Sequence, residues 1–148
     1  MTRYLDDFAV GEKFTTAEGA ITEAMILAFA REYDPQPFHL DPVAAQQSIY
    51  GSLIASGFQT LALGFRLVWD TGIYAGSSLG SPGFDELRWL KPVRAGDRLR
   101  VEGEVIAITP SRSKPDRGII RVAYRYLDQR GEPVLTCAMM HILRRRQG

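Results

Sequence analysis

The chain has 148 residues, 45% of them hydrophobic and 24% charged, with a formal net charge of +1. This is enough for one domain with a real core, and it excludes wholesale disorder. The near-zero balance also excludes the electrostatic footprint of a nucleic-acid binder, since the only basic run, Arg144-Arg145-Arg146, stands at the C-terminal end and reads as a solvated tail.

The opening residues, MTRYLDDFAVGEKF, hold no apolar run followed by a small-residue cleavage site, so no export signal is expected. The segment EKFTTAEGAI (12–21) has the β-branched and aromatic content of a first strand. Thr22 then offers an N-cap hydroxyl to a helix, EAMILAFAREY, whose Ile26, Phe29, Ala30 and Tyr33 share one face. That helix must stop near Asp34, because Pro35 and Pro37 both disfavour helical dihedrals in the residue before them. A stiff, extended corner is expected there, followed by a short helix over 42–50 with Asp41 as N-cap and Pro42 in its first position.

From Gly57 the positions Phe58, Leu61, Ala62, Phe65, Leu67 and Val68 are apolar nearly all round, which suits a helix wrapped by other structure. The most apolar stretch, 53–69, is broken by Gln59, Thr60 and Arg66 and falls short of a membrane span. A glycine- and serine-rich crossover, TGIYAGSSLGSPG, leads to four strand-like segments at 84–93, 97–110, 117–129 and 132–145. Leu99, Val101, Gly103 and Val105 alternate with charged residues, and Asp128-Gln129-Arg130-Gly131 reads as the turn between the last two strands. The order predicts an α+β fold, an antiparallel sheet wrapped around one long buried helix, as a single domain over 1–148. The lone Cys137 lies in an apolar segment and reads as a core thiol in a reducing, cytoplasmic compartment.

Chemistry concentrates in YDPQPFHLD (33–41). Asp34 and His39 stand five apart across two prolines, a strong acceptor beside a group that exchanges protons near neutral pH, so the pair can hold a water and move protons next to a carbonyl. The plainer alternative is a turn-initiating Asp before Pro and a histidine that only hydrogen-bonds. In ASGFQT (55–60), Gly57 starts the long helix, where the first N–H groups lack internal partners and can face a developing oxyanion; a tight helix start at Ser56-Gly57 explains the same residues. His39, Asp41 and His141 also imitate a two-histidine, one-carboxylate iron site. Asp41 reads more simply as the cap before Pro42, and no metal is expected.

Three blocks in order, FAREYDPQPFHLDP, SLIASGFQTLALG and LRWLKPVRAGDRLRVEGEV, resemble those of the MaoC-like dehydratases, including (R)-specific enoyl-CoA hydratases, which have the hot dog fold. The resemblance implies that Asp34 and His39 are the catalytic pair and that the Gly57 amide polarises a thioester carbonyl. Asp34 would take a proton from water, and His39 would help hold that water and deliver a proton to C2. Ser56, Gln36 and Phe58 are the neighbouring candidates for oxyanion or substrate binding. The substrate implied is an enoyl-CoA or 3-hydroxyacyl-CoA thioester, with no cofactor beyond the coenzyme A of the substrate, and the assembly a homodimer or higher homo-oligomer with no nucleic acid or membrane partner. Two departures stand out: Gln36 replaces the family asparagine, and Phe65 stands where some hydratases carry a serine. Alternatives are a hot dog thioesterase, disfavoured because 57–69 contains no Asp or Glu, and a non-catalytic acyl-CoA binding protein.

Overall fold

A computed structural model describes residues 1–147. A 3₁₀ turn (Leu5–Asp7) precedes strands β1 (Lys13–Thr15) and β2 (Gly19–Ala20). Helices α1 (Glu23–Tyr33), α2 (Pro37–Leu40), α3 (Pro42–Gln46) and α4 (Gly57–Asp70) follow. Strands β3 (Gly83–Trp89), β4 (Arg98–Pro110), β5 (Arg117–Leu127) and β6 (Pro133–Arg144) complete the chain. The sheet runs β1-β4-β5-β6-β3, with β2 also on β4, and every pairing is antiparallel. Leu99, Val101, Val105, Ile120, Val122 and Leu135 are wholly buried on its inner face, as the alternation in β4 predicts. The architecture is the α+β hot dog arrangement.

Several local readings are corrected. The segment read as one first strand is two short ones, because the Thr16 hydroxyl takes the Val101 N–H at 2.9 Å and interrupts the regular ladder between them. On α1, Ile26 and Ala30 are buried but Tyr33 is exposed, its ring stacked obliquely on Phe29. The extended corner ends one residue earlier than expected: Pro37 opens α2, so His39 rides on a helical turn. The short helix after Asp41 spans only Pro42–Gln46, and its cap holds, since the Asp41 carboxylate accepts from the Val43 and Ala44 N–H groups. The turn at Asp128 also holds, with the Gly131 N–H donating to Asp128 O and Gly131 at φ 77°. The terminal arginines are not a free tail: Arg145 pairs with Asp6 and Arg146 with Asp7, tying the C-terminus to the 3₁₀ turn.

The largest difference concerns α4. Its sheet-facing line is Thr60, Gly64 and Val68, spaced by four, while Phe58, Phe65 and Trp69 are exposed by 62%, 42% and 42% in the single chain. The reason is close approach. The Tyr126 ring lies directly against Gly64, where any Cβ would overlap it, and the Tyr126 hydroxyl donates to Leu61 O at 3.1 Å. Small residues let the helix sink onto the sheet and leave the bulky ones pointing away. Among the described residues, no helix is long and apolar enough to cross a membrane.

Candidate active site

The Thr22 hydroxyl caps α1 by accepting from the Met25 N–H, and the helix ends where the Asp34 N–H donates to Ala30 O. The prolines then turn the chain so that α2 lies beside α1. A strap, Leu53–Ser56, leads into α4 and binds α2 through Ile54 N–H to Phe38 O at 3.1 Å; on its other side Ala55 N–H donates to Val93 O at 2.8 Å. Three segments distant in sequence thus converge on one cavity.

That cavity, about 450 Å³, is lined by Asp34, Gln36, His39, Gly57 and Phe58, with Trp89 and residues 90–93 closing a further side. The structure therefore brings together five of the six residues singled out from the sequence. The sixth, Ser56, is 1% exposed and lies behind the wall. Its hydroxyl donates to Asp34 Oδ2 at 2.7 Å and accepts from the Phe58 N–H at 3.3 Å. One serine thereby ties the carboxylate to the start of α4.

The second carboxylate oxygen, Oδ1, accepts from Gln36 Nε2 at 2.7 Å, so the longer amide in place of asparagine reaches its neighbour. Burial, the largest single influence, pushes the Asp34 carboxyl up. The hydrogen bonds from Gln36 and Ser56 and the charge of His39 together outweigh it and leave the group below its ordinary value. Asp34 is ionised at neutral pH.

His39 is buried and its Nδ1 lies 2.8 Å from Ile54 O. A carbonyl only accepts, so this contact assigns the proton to Nδ1 and leaves Nε2 with a lone pair in the neutral ring. Nε2 stands 3.3 Å from Asp34 Oδ2. With the ring neutral, two acceptors stand side by side and call for a molecule with two protons to give, and water is the smallest that fits. On the wall of the same cavity stands Gly57, whose N–H, the first amide of a 14-residue helix, is taken by no acceptor among the described residues. The site thus combines a pair of proton acceptors with a free, dipole-assisted donor.

His39, Asp41 and His141 do not come together: Asp41 caps α3, and His141 sits in the core with Nε2 2.8 Å from the Tyr124 hydroxyl. Among the described residues no group of three His, Cys, Asp or Glu side chains is placed to hold an ion. Lys91 lines the cavity, but its ammonium is engaged by Asp128 at 3.0 Å and by Glu132. Sequence reasoning missed Trp89. It lies inside LRWLKPV, a block read only as sheet, and nothing local marks it as reaching α4.

The chain matches the family model described as MaoC like domain over residues 7–123. It superposes on the crystal structure of a MaoC-like dehydratase from Rhodospirillum rubrum with a TM-score of 0.91 and 45% identity, covering 99% of both chains. The unliganded R-hydratase PhaJ1 from Pseudomonas aeruginosa gives a TM-score of 0.75 at 27% identity, over 97% of this chain and 86% of that one. The 3-hydroxyacyl-thioester dehydratase Z of Mycobacterium tuberculosis is 33% identical over 103 residues, 68% of each chain. Relatives differ in length: this chain spans 99% of the Bacillus subtilis protein YdeM, at 30% identity, but 29% of the protein MaoC of Klebsiella aerogenes. On the family match, the fold and these similarities, the chain belongs to the MaoC-like dehydratase family.

Proposed function

We propose that the protein is a hydro-lyase that adds water to, or removes it from, the 2,3 bond of an enoyl-CoA or 3-hydroxyacyl-CoA thioester. The observation that carries the reading is the convergence of Asp34 Oδ2 and His39 Nε2, 3.3 Å apart, in a cavity that Gly57 also lines. A water bound between the two acceptors points its oxygen at C3. Asp34 takes one proton as that oxygen bonds to C3, and the π electrons move onto the thioester oxygen, where the Gly57 N–H meets the charge. The proton, passed across the Asp34 and His39 pair, returns from the His39 side to C2. One O–H bond and one C=C π bond break, and one C–O and one C–H bond form; no cofactor takes part, and coenzyme A is the carrier on the substrate.

Gln36 and Ser56 hold the base in place, and Phe58 supplies an apolar wall. The test is the loss of enoyl absorbance when purified protein meets crotonyl-CoA and longer or substituted enoyl-CoA thioesters. Hydration with no free thiol released is the expected result. Release of thiol instead would establish a thioesterase, and binding without turnover a carrier.

A homodimer completes this reading. Strand β3 is a free edge of the sheet, and its Phe84 and Trp89 are exposed beside the exposed Phe58 and Phe65 of α4. Phe58 packs edge-on against Trp89, and Phe65 and Phe84 line one apolar cavity of about 250 Å³, so the patch is continuous. Apolar surface of this kind next to an unpaired edge calls for cover, and a second copy supplies it with two-fold symmetry. Sedimentation equilibrium should return at least twice the 16.5 kDa chain mass; a monomer at micromolar concentration overturns this part. A buried free Cys137, its thiol pushed up to about 11 by burial, agrees with a reducing, cytoplasmic location.

A further inference from the structure

We infer that Trp89 is a positioning residue for the Gly57 amide, bracing the first turn of α4 from the sheet side; the inference rests on the hydratase reading above. The indole Nε1–H of Trp89, on the last residue of β3, donates to Gly57 O at 2.9 Å. Its ring packs edge-on against Phe58 with centroids 5.8 Å apart. A Cβ at residue 57 would overlap the indole, so glycine there lets the tryptophan close onto the backbone.

Clamping from two sides gives this contact a consequence. On the dyad side, the Ser56 hydroxyl binds Asp34 and takes the Phe58 N–H. On the opposite side, Trp89 holds the carbonyl of the same Gly57–Phe58 peptide. The Gly57 N–H itself has no acceptor within the described chain to aim it. It belongs to the Ser56–Gly57 peptide, whose carbonyl accepts from the Thr60 N–H at 3.0 Å, and the Gly57–Phe58 peptide that follows is held by Ser56 and Trp89, so its direction is set by both peptides that meet at the Gly57 Cα. An oxyanion donor works only where the charge develops, and a misplacement of about 1 Å can cost about 10²-fold in rate. The indole is half exposed, so the brace stands at the cavity mouth.

Trp89→Phe keeps an aromatic ring against Phe58 and removes the N–H together with part of the indole. With crotonyl-CoA, kcat is expected to fall about ten-fold or more while KM stays within about two-fold, because the lost aim matters in the transition state and not in ground-state binding. Unchanged kcat, or a raised KM with unchanged kcat, overturns the assignment and leaves Trp89 as a wall. A second measurement does not depend on turnover. The Thr60 N–H closes the first turn of α4 onto Ser56 O at 3.0 Å, and its hydrogen exchange should quicken several-fold in Trp89→Phe relative to the wild type. Equal exchange rates overturn the brace. A wild-type protein that hydrates no enoyl thioester sinks the hydratase reading instead, and the exchange comparison then decides the brace alone.

Discussion

Asp34→Asn should lower kcat for enoyl-thioester hydration by about 10²–10⁴-fold, the range a general base contributes, with the protein still folded. An amide of the same size cannot take a proton from water, so the first step loses its acceptor. The substitution also disturbs two partners. The carboxylate accepts from Gln36 and from Ser56, each at 2.7 Å, whereas an asparagine offers one oxygen and turns an N–H toward the other donor. A stability loss of about 1–3 kcal/mol is expected from that mismatch, measurable by thermal unfolding and separable from the kinetic effect. His39→Ala should cost a similar factor in kcat, since it removes the second acceptor for the water and leaves Ile54 O without its partner. Near-normal turnover in either variant would exclude the pair from the chemistry, and the noncatalytic binding reading would take its place.

The second large effect concerns stability and lies far from the cavity. His141 on β6 is 4% exposed, its ring stacked on Tyr74 at 4.3 Å and its Nε2 2.8 Å from the Tyr124 hydroxyl, which is 2.7 Å from that of Tyr74. Burial pushes the imidazole down from 6.5 to about 4, and both phenols are pushed up for the same reason. A chain in which Tyr74 donates to Tyr124 and Tyr124 donates to Nε2 pairs both hydroxyls and Nε2 while the ring is neutral. Protonation turns Nε2 into a donor facing that chain. Because the folded value lies below the unfolded one, the unfolded chain takes up the proton first as pH falls. Stability is then whole above about pH 6.5, is lost between about 6.5 and 4, and levels off below. The gap corresponds to about 3 kcal/mol. Urea unfolding at pH 7.5 and 4.5 should show a drop of this order in the wild type and a smaller one in His141→Gln. Equal drops in the two proteins would place the acid sensitivity elsewhere.

Much of this protein is written locally in its sequence. The alternation in β4, the Thr22 and Asp41 caps, the stop at Asp34 imposed by Pro35 and the hairpin at Asp128 all depend on neighbours within a few residues, and each is found in the structure. Asp34 and His39 were legible for the same reason, five positions apart on a chain stiffened by proline. Other features depend on which surfaces meet, and no local pattern carries that. Composition marked α4 as apolar all round, yet the side that touches the sheet is the small one, because Tyr126 needs the space at Gly64. Thr16 breaks a strand by bonding a residue 85 positions away. The strap at Ile54 and Ala55, pinned between Phe38 and Val93, brings Gly57 to the wall of the cavity that Asp34 and His39 line, and Trp89 reaches Gly57 over 32 residues of chain. Periodicity and turn chemistry report a residue's own backbone preferences, and from these the sequence by itself determined the long elements, their order and the titratable pair. Only tertiary packing decided what stands opposite that pair, because close approach between distant segments is a property of two surfaces at once.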